Sequence, residues 1–456
     1  MRLDQPIDVM GKFWLPEQSE KDGVTGRLII EDGGNIRLEL YHNIDADSLF
    51  ADLFPRDLEY IHGHLENSRF VTLRNCMLVS TVNDNKNNCE TKLLTLFAFL
   101  GGLFDKESPI SFDQYDFQMI GLNDWLYKYH LTHNKREYRK QYIIQLGSHN
   151  GADIEIITYF ELDDNAKTSK LTQHSFIRIK TKQPQDWQFF RRFTYNLGLF
   201  FSVVCNKKAS AYNIVGKNKS DLNVFNIYYV TPSTSNDNVT YPRQKLLFIY
   251  SNVEKTIVAR LQKWFKICDD IGYAIDLFIS NKETKYDKLA SKFLKLMQAF
   301  EVLANYTLKT DKVLLKEKDA QKSELDALKK RLLPFLNTKE QDLLSSKLGN
   351  VMGLPPKYIL TKLLYGTTRE WQNEEALETF LRVIFRIRNI YTHGHTISKL
   401  KNSLDFVNLM IKLECCFRLV IFNKIGFEKE ELHGLVEHSG WFKQKLDFNF
   451  DIEKLK

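Results

Sequence analysis

Apolar periodicity changes once along this chain, near residue 253, and that change divides what the chain can fold into. Before it, apolar residues come in short or alternating runs. GRLII at 26–30 and NIRLELY at 35–41 stand on either side of Asp32-Gly33-Gly34. Two such runs around a glycine turn predict a β-hairpin, because glycine accepts the positive φ that tight turns require. Further strand-like runs lie at Phe70–Leu73, Met77–Val79, Tyr142–Leu146, Ile154–Leu162, Ser175–Ile179, 211–215 and 225–230. Asn-, Asp- and Gly-rich breaks such as 83–88 and 147–153 separate them. One helix is expected inside this region, over 185–204, where Trp187, Phe190, Phe193, Leu197, Phe200 and Phe201 recur at three- and four-residue steps. The polar stretch 231–242 reads as a surface loop.

Beyond 253 the period is helical and stays so. Val253–Ile279 is amphipathic, and Leu289, Phe293, Leu296, Met297, Phe300, Leu303 and Ala304 mark one face of the next helix. Residues 309–331, dense in Lys, Asp and Glu, read as a solvated helix or loop. Helices are expected from Glu374 to Asn389 and from Ser403 to Lys424, with Gly426 as the cap of the latter. The fold class is therefore α+β: an N-terminal β-rich, sandwich-like domain with an inserted helix over 1–252, followed by an all-α bundle over 253–456.

Composition excludes several function classes. Of the 456 residues 43% are hydrophobic and 27% charged, so a sizeable core can form and long disorder is not expected. A net charge of +7 permits contact with nucleic acid without requiring it. Cys76, Cys89, Cys205, Cys268, Cys415 and Cys416 form no C-x-x-C pair and no zinc spacing with histidine, so neither a disulfide framework nor a metal is expected. His62-Gly63-His64 lacks further ligands nearby and is expected on one strand face. Trp14, Trp125 and Trp187 are expected in the core. No signal peptide, transmembrane run, phosphate loop or dinucleotide fingerprint is read, so the expected location is the cytoplasm and no cofactor is expected.

The chemistry-bearing segment is FRIRNIYTHGH, 385–395. The apolar stripe Leu377, Phe380, Leu381, Ile384 continues onto Arg388 and Tyr391, which turns an arginine toward the bundle. A guanidinium placed there needs a partner, and an arginine–carboxylate tie between helices accounts for it as well as a catalytic role does. His393 follows five residues later, just before Gly394 and His395. An arginine to hold a phosphate and a histidine to move protons near neutrality suffice for metal-free attack of an RNA 2′-hydroxyl, leaving a 2′,3′-cyclic phosphate. The spacing alone is weak: Arg37 with His42 and Arg56 with His62 also satisfy it. Context sets 388–393 apart, since it closes an amphipathic helix and Asn389 follows the arginine.

RNIYTH at 388–393 resembles the R-x4-6-H motif of HEPN domains, and KLASKFLKLMQAFEVLANY at 288–306 resembles their first helix, which often carries an acidic residue near the site. Glu301 is that residue here, with Gln298 and Asn305 on the same stripe. An ordinary helix-edge carboxylate remains an equal reading of Glu301. GKFWLPE (11–17), VTGRLIIEDGGNIRLEL (24–40) and IHGHLENSRFVTLRNC (61–76) look like the opening of ApeA-type N-terminal domains, which precede a HEPN domain in bacterial anti-phage proteins acting by abortive infection. The joint resemblance covers about residues 10–425, and 205–245 match no named pattern. It implies a HEPN endoribonuclease that dimerises through the helical domain and is held inactive until a phage-derived trigger appears. Structured RNA such as tRNA is the expected substrate. Arg388, His393, Asn389 and Glu301 are the expected catalytic set, with Tyr391, His395 and Gln298 beside the substrate. Two alternatives stay open: a non-catalytic binder of protein or glycan that uses the helices to dimerise, and an antitoxin-like partner adenylylated at Tyr391.

Overall fold

The computed structural model describes residues 3, 5–42, 44, 57–83, 89–127, 141–165, 168–219, 221–231, 246–283, 288–349, 354–368, 374–394 and 404–446. The chain forms two compact units, Met1–Arg243 with Ile249–Val258, and Gln244–Phe248 with Ala259–Lys456. Most of the loop expected at 231–242, most of the break at 83–88, and Arg56 and His395 lie outside the described residues.

The first unit is β-rich, as its alternating runs require. Its strands are β1 (Ile7–Trp14), β2 (Val24–Ile30), β3 (Ile36–Leu40), β4 (Asp57–Leu65), β5 (Phe70–Asn83), β6 (Cys89–Leu100), β7 (Ser111–Met119), β8 (Tyr142–His149), β9 (Ala152–Asn165), β10 (Thr168–Asp186), β11 (Ala211–Asn218) and β12 (Asp221–Tyr229). They form one sheet in the order β3-β2-β1-β4-β5-β6-β12-β11-β7-β10-β9-β8. An added β3–β6 ladder, from Ile36 opposite Thr95 to Leu40 opposite Thr91, closes the first six strands into a barrel. The sheet branches at β6. Its early residues pair with β3, and Phe97–Leu100 pair with β12. The β-rich class is as read from the sequence; its form is a closed barrel continued by an open sheet.

Alternation fills the barrel. Along β2 and β3 every second residue is buried, and Phe13, Leu28, Leu38, Ile61, Val71 and Leu73 join in its core. The expected hairpin is present, with Ile30 opposite Ile36. Gly34 turns it at φ +77°, and a Cβ there would sit 2.0 Å from the Tyr229 carbonyl oxygen, so no other residue fits.

Two helices belong wholly to this unit's described chain up to β12: α1 (Leu122–Leu126) and α2 (Trp187–Cys205). Asp186 caps α2 by accepting from the Gln188 amide. Its aromatic stripe packs inward: Phe190 stacks on Tyr115 at 5.1 Å, and Trp187 meets Phe97 edge-on at 4.5 Å. Trp14, Trp125 and Trp187 are all buried, as expected. His62 and His64 sit on β4, where His62 bonds the Phe104 carbonyl and His64 the Glu20 carboxylate.

After α3 (Tyr250–Val253), the remaining helices are α4 (Ile257–Glu283), α5 (Leu289–Thr310), α6 (Lys312–Leu332), α7 (Thr338–Gly349), α8 (Pro356–Thr368), α9 (Glu374–Thr392), α10 (Leu404–Lys424), α11 (Lys429–His438) and α12 (Gly440–Leu446). The backbone of α4 leaves helical geometry at Ile271, beside Gly272. Within the second unit, α8 packs against α5, α9 and α10 through Ile359, Leu360 and Leu364. Helix α10 is apolar nearly all round and correspondingly buried. Phe417 at its middle stacks on Phe278 at 4.7 Å and meets Phe300 edge-on at 5.3 Å. Gly426, at φ +99°, ends α10 as expected, and the Phe427 amide donates back to the Phe422 carbonyl. Residues 309–331 become mainly α6, in which Leu314 is the buried residue. Among the described residues no helix is long and apolar enough to cross a membrane.

Candidate active site

Helix α9 supplies most of the site. Leu377, Phe380, Leu381, Val383, Ile384 and Ile387 form its buried face. This stripe anchors α9 against α5 and α8 and fixes the direction of every later side chain. Hydrogen bonding continues past the helix, from the His393 amide to the Asn389 carbonyl at 3.0 Å. Gly394 then takes φ +76° and its amide bonds the Tyr391 carbonyl at 3.2 Å. A left-handed glycine at this point releases the chain, and His393 is left exposed at the end.

Arg388 lies on the flank of the buried stripe and turns toward α5. Its Nη2 meets Glu301 Oε1 at 2.8 Å, and the two side chains are 33% and 27% exposed. Its Nη1 donates to Asn389 Oδ1 at 3.2 Å. The arginine–carboxylate tie between α5 and α9 is present, and a third of the Arg388 side chain remains exposed. A guanidinium has five N–H donors, and these two bonds leave donors free for an oxyanion. Thr392 supports the turn by donating its hydroxyl to the Arg388 carbonyl at 2.8 Å.

Tyr391, three residues on from Arg388, is half-buried. Its ring lies 6.3 Å from Phe293 of α5 and 6.0 Å from Phe406 of α10, which are themselves 5.4 Å apart. Burial raises its hydroxyl above the usual tyrosine value. The phenol is thus neutral at physiological pH and acts as donor or acceptor, not as an anion.

The structure brings together Glu301, Arg388 and Asn389 by direct contact. Asn389 and His393 share one exposed stripe of α9, four residues apart. Gln298 is exposed on α5, one turn before Glu301, and Asn305 is exposed one turn after it. Phe406 and Thr392 were not singled out in the sequence. Thr392 carried a usable signal, since a threonine hydroxyl in a helix reaches the carbonyl four residues back. Phe406 carried none, because its contact with Tyr391 depends on how α10 returns. Among the described residues no cluster of His, Cys, Asp and Glu could hold a metal ion.

A barrel-headed β unit followed by a helical unit with an Arg–Asn–x3–His helix end defines a two-part protein of the HEPN class. The description "ApeA N-terminal domain 1" matches residues 8–264, and "Apea-like HEPN" matches 294–431. The chain belongs to the ApeA family of anti-phage defence proteins with a C-terminal HEPN domain. The first match runs through 205–245, the stretch that carries no named pattern of its own. Neither the curated proteins nor the solved structures contain a match to the chain.

Proposed function

We propose that the chain is a metal-independent endoribonuclease of anti-phage defence that cuts RNA, with tRNA as the leading candidate, at the end of α9. The observation that carries this reading is the Arg388–Glu301 pair, one-third open to solvent, on the same helix end as an exposed His393. Arg388 holds the scissile phosphate with its remaining donors and offsets charge that builds on the phosphate oxygens. His393 takes the 2′-hydroxyl proton or gives one to the 5′-oxygen, since an imidazole exchanges protons near neutral pH. The 2′-oxygen bonds to phosphorus as the bond to the 5′-oxygen breaks, which yields a 2′,3′-cyclic phosphate and a 5′-hydroxyl. Asn389 and Glu301 orient Arg388, and Tyr391, Gln298 and His395 flank the substrate.

In this reading residues 253–456 cut, and residues 1–252 sense infection and restrain them. A second copy of the chain joins through the helical domain, and the protein works in the cytoplasm. The test compares phage protection by the parent, His393→Ala and Arg388→Ala at matched expression, with RNA from infected cells run on gels. Protection with RNA fragments that vanishes in both folded variants is the expected result. Undiminished protection in both variants removes these residues from the mechanism and favours a non-catalytic binder, in which the Arg388–Glu301 pair serves only to tie helices.

A further inference from the structure

Charge is sorted along α9 in a way that the ion pair does not use. Its exposed carboxylates, Glu374, Glu375 and Glu378, lie in the first two turns. From Leu381 onward its exposed residues are Arg382, Arg386, Asn389 and Thr392, and His393 and Gly394 follow directly. None is acidic. Arg382, Arg386, Asn389 and His393 stand at steps of four, three and four, which places them on one face. Neither Arg382 nor Arg386 makes an ion pair with another described residue.

The helix dipole does not account for this. Its preference for cations falls off within the last turn, and Arg386 and Arg382 lie one and a half turns or more before the end. A solvated surface helix ordinarily mixes signs at four-residue spacing; Glu378 stands four residues before Arg382 without forming an ion pair with it, and no carboxylate of α9 stands three or four residues from Arg386. The one carboxylate on the neighbouring α5 that reaches α9, Glu301, is spent on Arg388, which lies off this face. The part of this face from Arg382 to His393 is therefore cationic and polar, with Glu378, one turn before Arg382, as the nearest carboxylate of α9 on it.

We propose that Arg382 and Arg386 form a phosphate track that holds the RNA strand on one side of the cut. This rests on the nuclease reading and extends it to substrate residues that the Arg–His motif does not contain. Successive arginines four residues apart are about 6 Å apart along the axis, and Arg382 to His393 covers about 16 Å. That is the length of a few nucleotides of extended strand. Contacts of this kind read the backbone and not the bases, so the track sets affinity and register without sequence preference. The guanidinium fork suits a phosphate better than an ammonium would.

The experiment uses the full chain and a fluorescein-labelled single-stranded RNA 20-mer of mixed sequence. Anisotropy titrations across a salt series are run on His393→Ala protein with and without Arg382→Gln plus Arg386→Gln, and cleavage is timed on the His393 parent in extract of phage-infected cells, with His393→Ala as the background. Removing one phosphate-binding arginine should flatten the plot of log K against log salt by about 0.7, so removing both should flatten it by about 1.4. Binding at low salt is expected to weaken about tenfold, and in cleavage KM should rise while kcat holds. Lys329→Gln plus Lys330→Gln on α6 removes the same charge elsewhere and is expected to leave the slope unchanged. A parent that cuts RNA while the Arg382/Arg386 variant keeps its slope and KM overturns the track and leaves the nuclease reading standing. Equal flattening by the α6 variant also overturns it, since net charge alone would then explain the effect. His393→Ala protein that does not bind the RNA at low salt overturns the track, and a parent that cuts RNA neither alone nor in extract of phage-infected cells overturns the nuclease reading.

Discussion

Glu301→Gln separates a positioning role from a purely structural one. The change keeps the shape of the side chain and removes the charge that faces Arg388 at 2.8 Å. Both partners are about one-third exposed, so water screens the attraction and the pair contributes on the order of 1 kcal/mol or less to stability. For a unit of this size that corresponds to a melting shift of about 2–4 °C at most. The effect on chemistry is larger. A guanidinium released from its carboxylate samples several rotamers, and a misplacement of an ångström at a reacting phosphate costs heavily. We expect kcat to fall about tenfold, equivalent to about 1.4 kcal/mol of transition-state stabilisation, with KM nearly unchanged. The assay is timed cleavage of labelled RNA alongside thermal melting of parent, Glu301→Gln, Arg388→Ala and the double variant. If Glu301 acts through Arg388, the double variant equals Arg388→Ala alone. A melting drop beyond about 8 °C with kcat intact would refute this reasoning and mark the pair as a structural tie.

Other perturbations follow from the same structure. Gly63→Ala would put a Cβ 2.6 Å from a Phe13 ring carbon and 2.8 Å from a Val71 methyl inside the barrel. Overpacking of this kind should cost about 1–3 kcal/mol, read as a lower denaturant midpoint, and an unchanged midpoint would show that the barrel relaxes freely. Burial pushes the thiols of Cys76 and Cys415 up to about 12 and that of Cys416 to about 11. In native protein at pH 8 they should resist iodoacetamide and react only in denaturant, which peptide mass mapping reads directly. The raised folded value of Tyr391 stabilises the native state fully below the unfolded tyrosine pKa near 10, and that contribution fades as pH rises through the folded value. Tyr391→Phe should therefore flatten part of the alkaline loss of stability above about pH 10 and leave stability at pH 7 unchanged. A Tyr391-dependent titration at neutral pH would contradict the burial of this ring.

How much of this was legible in the residues depends on where the information lies. The β2–β3 hairpin was legible because alternation and a Gly-Gly turn are local. Strand β6 was not, because TKLLTLFAFL is apolar on both faces and reads equally as a helix. In the fold Thr91–Leu96 alternates, with Lys92 and Leu96 exposed, and only Phe97–Leu100, the part that pairs with β12, is buried on both faces. Helix α8 was hidden by Pro355-Pro356, which reads as a breaker. A proline at the first helical position is instead pre-organised for the helix, and the Ile359 amide bonds the Pro355 carbonyl at the entry.

The candidate site shows the same division. Arg388, Asn389 and His393 lie within six residues on one helix end, so their spacing and the glycine that follows were readable directly. What Arg388 does with its charge was not, because the answer is carried by Glu301 on a helix far away in sequence. The apolar stripe of α9 decides it: with Ile384 and Ile387 packed inward, the flank holding Arg388 must face α5, and the α5 stripe places Glu301 within reach. The opposite flank, with Arg382 and Arg386, is then necessarily the open one. A single helix thus holds one arginine by a carboxylate and leaves two without an ion pair among the described residues, beside the histidine. That asymmetry favours a site that fixes one phosphate and lets the rest of the strand slide into register.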